Sequence, residues 1–316
     1  MNKHYDRRVF LQQTGLGLAG LYLGSGLISC SPKTSYASLT TIPTDSPYVM
    51  KHLRGRVGYF TEKGGTIAWL IDGKSCALVD SQFPEQMAHL ITEVNKLTDD
   101  SWNALFNTHH HADHTSGNIS LKGKVSAVIA HENSKINQKK VAEQKNNLEG
   151  VLLPDTTFSQ NYKVKVGKEN ISCHYFGAAH TNGDSIVHFE DSDVVHIGDL
   201  VFNRRFPYID KGAGASIQGW ISVHDALLRY LDDSTQIICG HAGQGYDVIL
   251  GKEDIRAFRN YLEQLLQFAR KKINEGVPLE ELKKTTTFIP GAEQWQGDGI
   301  SRSLEAAYLE LNGPKG

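Results

Sequence analysis

The sequence predicts an α/β protein in which two sheets are covered by helices on their outer faces. Three observations carry this reading. Of 316 residues, 40% are hydrophobic and 22% charged, enough for a substantial core and unlike a disordered or fibrous chain. Short apolar strand candidates closed by glycine turns alternate with segments of helical spacing. The helices are spread along the chain and not gathered at one end, as layered α/β folds require.

Taken in order, residues 1–29 place Lys3, Arg7 and Arg8 ahead of a weakly polar run, the charge order and length of an export signal. The apolar stretch 16–28 is too short and too rich in glycine for a membrane span. Arg7-Arg8-Val9-Phe10-Leu11 resembles a twin-arginine export signal, and Leu27-Ile28-Ser29-Cys30 resembles a bacterial lipobox. Together these resemblances imply a lipid anchor through Cys30 and a periplasmic location, at the outer membrane where a cell has one. Residues 30–47, rich in Ser, Thr and Pro, then read as a tether, with a folded domain over 48–316.

That domain opens with strand candidates at 56–60, 66–71 and 75–79, punctuated by Lys63-Gly64-Gly65 and Asp72-Gly73. Residues 84–97 start with proline and carry Met87, Leu90, Ile91 and Val94 at helical spacing. A second strand and helix unit runs from 102–107 through 125–130 into 132–148. Residues 156–175 are strand-like with turns, and 185–189 and 194–197 flank an acidic turn as a hairpin. A helix over 217–231, a buried strand over 235–239 and a long amphipathic helix over 253–273 follow, the last with Ile255, Phe258, Leu262, Leu265 and Leu266 on one face.

Composition narrows function. Lys and Arg total 33 against 35 Asp and Glu, a net charge of −2, which gives no general attraction to nucleic acid. The four cysteines, Cys30, Cys76, Cys173 and Cys239, have no CxxC spacing, so no disulfide scaffold or cysteine zinc knuckle is suggested. The histidines are more telling. Between the strand at 103–107 and a helix-like segment lies Thr108-His109-His110-His111-Ala112-Asp113-His114. His109, His111, Asp113 and His114 cannot all face a core without a metal or a large desolvation cost. On an extended turn His109 and His111 project to one side. As the chain curls toward a helix, Asp113 and His114 address a neighbouring point, so one loop can serve two ions. His110, between two of them, should point away into packing or solvent.

This run resembles the HxHxDH motif of the metallo-beta-lactamase superfamily. Three later segments match the order of that family's ligands: Ala179-His180-Thr181, Gly198-Asp199 and Cys239-Gly240-His241. The resemblance implies a four-layer αβ/βα sandwich with the site at the sheet edges. It further implies one metal held by His109, His111 and His180, a second by Asp113, His114 and His241, and Asp199 bridging them. Two zinc ions suit this imidazole and carboxylate set, and iron or manganese occupy related sites. Asp80, at the end of an early strand, is expected to support the site from behind, and Cys239 to pack and not to ligate.

Two ions roughly 3.5–4 Å apart share a water and lower its pKa, so the implied activity is hydrolysis by a bridging hydroxide. In that reading Asp199 positions the pair and Asp113 orients the nucleophile or returns a proton to the leaving group. Zinc beta-lactamases with a full second site commonly have cysteine where Asp199 stands. The His180-Thr181-Asn182-Gly183-Asp184 run departs from the His-Thr-x-Gly-His of thioesterase and lactonase relatives, and looks more like an exported branch of metal-dependent hydrolases. After Asp199, Phe202, Arg204, Arg205, Phe206 and Tyr208 are expected to wall the pocket, with Arg204 or Arg205 gripping a carboxylate or phosphate. The expected substrate is a small ester, lactone or amide. A beta-lactam is the runner-up, and a diiron redox protein stands behind both. No nucleic acid and no partner protein is expected.

Overall fold

The computed structural model describes residues 46–98 and 101–313. Its first seven strands are β1 (Val49–Arg54), β2 (Val57–Thr61), β3 (Ile67–Asp72), β4 (Ser75–Val79), β5 (Ser101–Asn107), β6 (Val128–His131) and β7 (Thr156–Phe158), and they form one sheet in sequence order. β1 to β4 are an antiparallel meander, after which β4 to β7 run parallel. The switch from meander to parallel pairing requires crossovers, and the helical segments supply them. Eight further strands follow: β8 (Asn161–Val166), β9 (Glu169–His174), β10 (Ile186–Phe189), β11 (Val194–His196), β12 (Phe202–Asn203), β13 (Gln236–Ile238), β14 (His241–Ala242) and β15 (Ile249–Leu250). The second sheet has the order β15-β13-β11-β10-β9-β8, while β12 and β14 form a short parallel pair beside it.

The period-two alternation of the strands builds three apolar layers at once. In β3, Ala68 and Leu70 face the second sheet, while Ile67, Trp69 and Ile71 face outward. The inner layer joins Val79 and Phe106 to Val187, Phe189 and Ile238 across the gap between sheets. Outside the first sheet, α1 (Pro84–Asn95) lays down Met87, Leu90 and Val94. α2 (Ala112–Thr115) is a single turn, and α3 (Glu132–Gln144) is capped by the His131 ring, which accepts from the Asn133 amide at 3.2 Å. Outside the second sheet lie α4 (Ile217–Tyr230), α5 (Lys252–Asn274), α6 (Leu279–Thr285) and α7 (Ile300–Asn312), with Trp220, Phe258, Leu262 and Leu304 in the shared core. The result is the four-layer αβ/βα order.

The helices over 84–97, 217–231 and 253–273 are found within a few residues of the expected bounds. The one expected over 132–148 ends earlier, at Gln144. The strand-like stretch 156–175 divides into β7, β8 and β9, and β1, β12, β14, β15, α6 and α7 are elements that the sequence pattern does not single out.

The expectation of a lipid-anchored protein on the periplasmic side of the cell envelope is corrected. The described cysteines Cys76, Cys173 and Cys239 are all buried, so none presents a surface thiol for lipid. No described helix is long and apolar enough to cross a membrane. Cys30 and the twin-arginine segment lie outside the described residues. The chain is accordingly assigned neither an anchor nor a compartment.

One helix junction is unusually polar. The N-terminus of α4 is capped twice: Ser216 Oγ accepts from the Gly219 amide at 3.0 Å, and the Glu310 carboxylate of α7 accepts from the amides of Ile217 at 2.8 Å and Gln218 at 2.9 Å. Lys211 Nζ donates to the same carboxylate at 3.0 Å. A carboxylate on orphan helix amides offsets their partial positive charge. Glu310→Ala should therefore cost about 1–2 kcal/mol. The check is urea denaturation, where the midpoint should fall at an unchanged slope.

Candidate metal centre

The site is assembled where the strands of both sheets end. β5 runs into Asn107 and Thr108, and this exit is fixed from behind by Asp80, which follows β4. Asp80 is fully buried and has φ +65°, a left-handed conformation uncommon for a residue other than glycine. Its Oδ1 accepts from the Thr108 amide at 2.8 Å, and its Oδ2 from Thr108 Oγ1 at 2.7 Å. Asn107 and Asn118 exchange side-chain amide hydrogen bonds just outside this point. His109 and His111 leave the extended exit, and the single turn of α2 then swings Asp113 and His114 into place. From the second sheet come His180 on the loop after β9 and Asp199 after β11, and from the short pair beside it His241 at the start of β14.

The hydrogen-bond partners fix which ring nitrogens are free. Because Thr108 Oγ1 donates to Asp80, it accepts from His109 Nδ1 at 3.0 Å, leaving the His109 Nε2 lone pair exposed to the site. His111 Nε2 donates to Asp210 Oδ2 at 2.9 Å, and His180 Nδ1 donates to the Tyr208 carbonyl at 2.6 Å. His111 Nδ1 is then an acceptor only, and so is His180 Nε2, yet they lie 2.9 Å apart. His109 Nε2 is 3.1 Å from the same His111 nitrogen. Three lone pairs converge with no proton between them, which is repulsive unless a cation occupies their common focus. Asp199 Oδ2 lies 3.5 Å from His180 Nε2 and 3.9 Å from His109 Nε2. These four donors lie within 4.8 Å of one another.

A second group adjoins the first. His114 Nδ1 donates to Asp80 Oδ2 at 2.7 Å, so its Nε2 faces inward, 3.1 Å from Asp199 Oδ1, 3.4 Å from His241 Nε2 and 3.8 Å from Asp113 Oδ2. His241 Nε2 is 3.0 Å from Asp113 Oδ2 and 3.5 Å from Asp199 Oδ2. Asp199 Oδ1 is buried without a hydrogen-bond partner, the state of a carboxylate oxygen awaiting a cation. Both groups thus fit a metal by their donor chemistry, and Asp199 is shared between them.

The electrostatics agree. Burial, reinforced by the neighbouring imidazoles, holds His109 well below the usual histidine range and His180 down to about 3, so both present neutral ligand nitrogens. Burial opposes the charge on Asp199, but His241 and His114 outweigh it and hold the carboxylate well below its ordinary range. Against the same cost of burial, Asp199, Asp80 and Asp113 hold His114 well above its ordinary range. A proton on His114 Nε2 and a divalent cation at that point answer the same cluster of negative charge.

The structure brings all seven residues, His109, His111, Asp113, His114, His180, Asp199 and His241, into these two adjoining groups. His110 turns away into the interior beside Asp210, 3.6 Å from its Oδ2, where burial lowers its pKa to about 4. Cys239 is buried and donates to the His241 carbonyl at 3.3 Å, and burial raises its thiol far above the usual range. The two arginines after β12 part company. Arg204 reaches toward α5, donating to Asn203 Oδ1 at 2.9 Å and Asp254 Oδ1 at 3.1 Å, with Trp295 and Tyr246 against its guanidinium. Arg205 is exposed and, with Tyr208, lines a cavity of about 480 Å³ beside the metal centre.

Residues not foreseen include Asp210, which orients His111, and Gly240. A methyl group at position 240 would overlap Asp199 Oδ1, so the bare backbone lets the shared carboxylate lie flat against β14's approach. Nothing in local spacing marks Asp210, since it meets His111 only through the fold.

Comparison with known proteins places this geometry. A hydroxyacylglutathione hydrolase from Crocosphaera subtropica is 29% identical over 230 residues, covering 69% of this chain and 80% of that protein. One from Pelagibacter ubique is 24% identical over 200 residues, covering 61% and 69%. Among solved structures, the inverting sec-alkylsulfatase Pisa1 from Pseudomonas sp. superposes with a TM-score of 0.65 at 15% identity over 84% of this chain, which spans 50% of that longer one. A metallo-beta-lactamase from Pontibacter korlensis gives 0.57 at 16% identity, covering 68% of this chain and 99% of its own. The family described as the metallo-beta-lactamase superfamily matches residues 62–241, more than half of the sequence. The chain belongs to the metallo-beta-lactamase superfamily, and its binuclear His and Asp cluster is that of a metal-dependent hydrolase.

Proposed function

We propose that the chain hydrolyses a small acyl compound, an ester, thioester, lactone or amide, at two zinc ions. The observation that carries this reading is the convergence of the His109, His111 and His180 lone pairs beside a second donor group that shares Asp199. His109, His111 and His180 would hold one ion and Asp113, His114 and His241 the other, with Asp199 available to both. Bound there, the ions supply Lewis acidity and a nucleophile drawn from water. The name of the curated relatives, hydroxyacylglutathione hydrolase, favours an acyl bond as the target.

The two carboxylates divide the remaining work by exposure. Asp199 has a side chain only 4% exposed and serves to hold the two donor groups in register. The side chain of Asp113 is 33% exposed; burial opposes its charge, but His114 and His241 outweigh it and hold the carboxylate well below its ordinary range, so it stays ionised and serves to orient rather than to carry a proton. Tyr208 and Arg205 border the substrate space, whereas Arg204 is neutralised by Asp254 and holds the loop against α5.

Elemental analysis of the purified, reconstituted protein should find two zinc ions per chain. One tightly bound ion at most, or iron or manganese in place of zinc, overturns the binuclear zinc assignment. Activity is read on a panel of ester, thioester, lactone, amide, beta-lactam and phosphodiester, and acyl compounds should be turned over fastest. Asp199→Ala should reduce both metal content and turnover by a factor on the order of 100 or more.

Two substitutions that remove no ligand sharpen the test. Asp80→Asn keeps the size of the side chain but weakens its grip on His114 and Thr108, and should lower metal affinity about 10- to 100-fold. Gly240→Ala should displace Asp199 and likewise lower metal content. Circular dichroism should be unchanged in both, and competition with a chelator measures the loss.

A further inference from the structure

The cavity beside the metal centre carries two arginines with nothing to balance them. Arg205 comes from the loop after β12 and Arg302 from the first turn of α7, and both are exposed. Among the described residues neither side chain makes an ion pair or hydrogen bond. The adjacent Arg204, by contrast, is paired with Asp254. Asp298 is the one acid on the cavity lining, and it lies beyond ion-pair distance of both guanidinium groups. The rest of the wall combines three rings, Phe202, Phe206 and Tyr208, with Gln244, Gln296 and a run of small residues.

The cavity is joined to the reacting centre through these rings. Phe202 stacks on His241, with ring centres 5.5 Å apart and planes at 19°. Tyr208 lies 5.3 Å from the His111 ring, and the Arg302 guanidinium sits over the Tyr208 ring at 5.5 Å from its centre. Tyr208 thus links the metal ligand His111 to Arg302. A planar guanidinium is matched to a carboxylate, and because these two are unpaired in the free protein, binding an anion breaks no ion pair.

We propose that Arg205 and Arg302 recognise a carboxylate at the end of the substrate remote from the scissile bond, while the rings of Phe202, Phe206 and Tyr208 take an apolar body between the two. This rests on the hydrolase reading for the position of the reacting bond, and it makes Arg302 a specificity residue supplied by the C-terminal helix. A neutral ester of the same shape fits the cavity but leaves both arginines unused, so the pair sets a preference for charge and not for size.

The test measures binding, so that it stands apart from turnover. Calorimetry on the full metal-loaded chain compares 4-phenylbutyrate with its uncharged amide. The carboxylate should bind at least tenfold more tightly than the amide. Arg205→Gln and Arg302→Gln should each reduce that preference about three- to tenfold, Arg302→Lys should retain part of it, and the double glutamine variant should abolish it. Metal content and thermal midpoint, measured on the same samples, should match wild type. An absent preference in the wild type overturns the proposal, as does one that survives in the double variant, where it would report direct capture by the metals. A substrate panel with no turnover would overturn the hydrolase reading and leave this binding result standing.

Discussion

The whole centre hangs on one buried carboxylate. Asp80 makes no contact with the focus of either donor group, yet it orients both. Through Thr108 Oγ1 it decides which nitrogen of His109 carries the proton, and by direct contact it decides the same for His114. It also holds the Thr108 amide, and with it the exit of β5. A strained left-handed backbone at this position costs on the order of 1–3 kcal/mol, and the three hydrogen bonds it makes possible are what over-determine it. The same logic recurs on a smaller scale at His111 with Asp210 and at His180 with the Tyr208 carbonyl. Each ring has one nitrogen satisfied by the protein, and only the other is left to bind.

Much of this was legible in the sequence because it was local. The His109 to His114 run, the strand ending at Asp199 and the apolar strand ahead of His241 are short-range patterns whose chemistry has few other uses. The helices at α1, α4 and α5 announce themselves by spacing, and proline opens the first of them. What escaped was non-local. Asp210 lies 99 positions from His111, and Arg302 nearly as far from Arg205. Two-residue strands such as β12 and β14 have no periodicity to read, and they exist because each supplies the other's edge. Cysteine and signal-like patterns at the N-terminus illustrate the opposite failing, in which a pattern was read into an anchor and a location that the described fold does not support.

The division between Arg204 and Arg205 shows why residue type alone does not assign a role. They are adjacent and chemically identical, but a positive φ of 54° at Arg204 turns its side chain toward Trp295 and Asp254, while its neighbour remains in the open cavity. One is spent on architecture. The other keeps its charge available.

The ligands come from opposite sides of the sandwich, with His109, His111, Asp113 and His114 delivered by the first sheet, and His180, Asp199 and His241 by the second sheet and the short pair beside it. No covalent strut sets the gap between those sheets among the described residues. It is set by the thickness of the apolar filling, Phe106 and Val79 against Phe189, Val187 and Ile238. Close-packed interiors transmit small changes in volume instead of absorbing them. The inner core is thus a gauge block: it fixes, to a fraction of an ångström, how far apart the two halves of the centre are held, and a buried methyl group far from any histidine becomes part of the tolerance of the site.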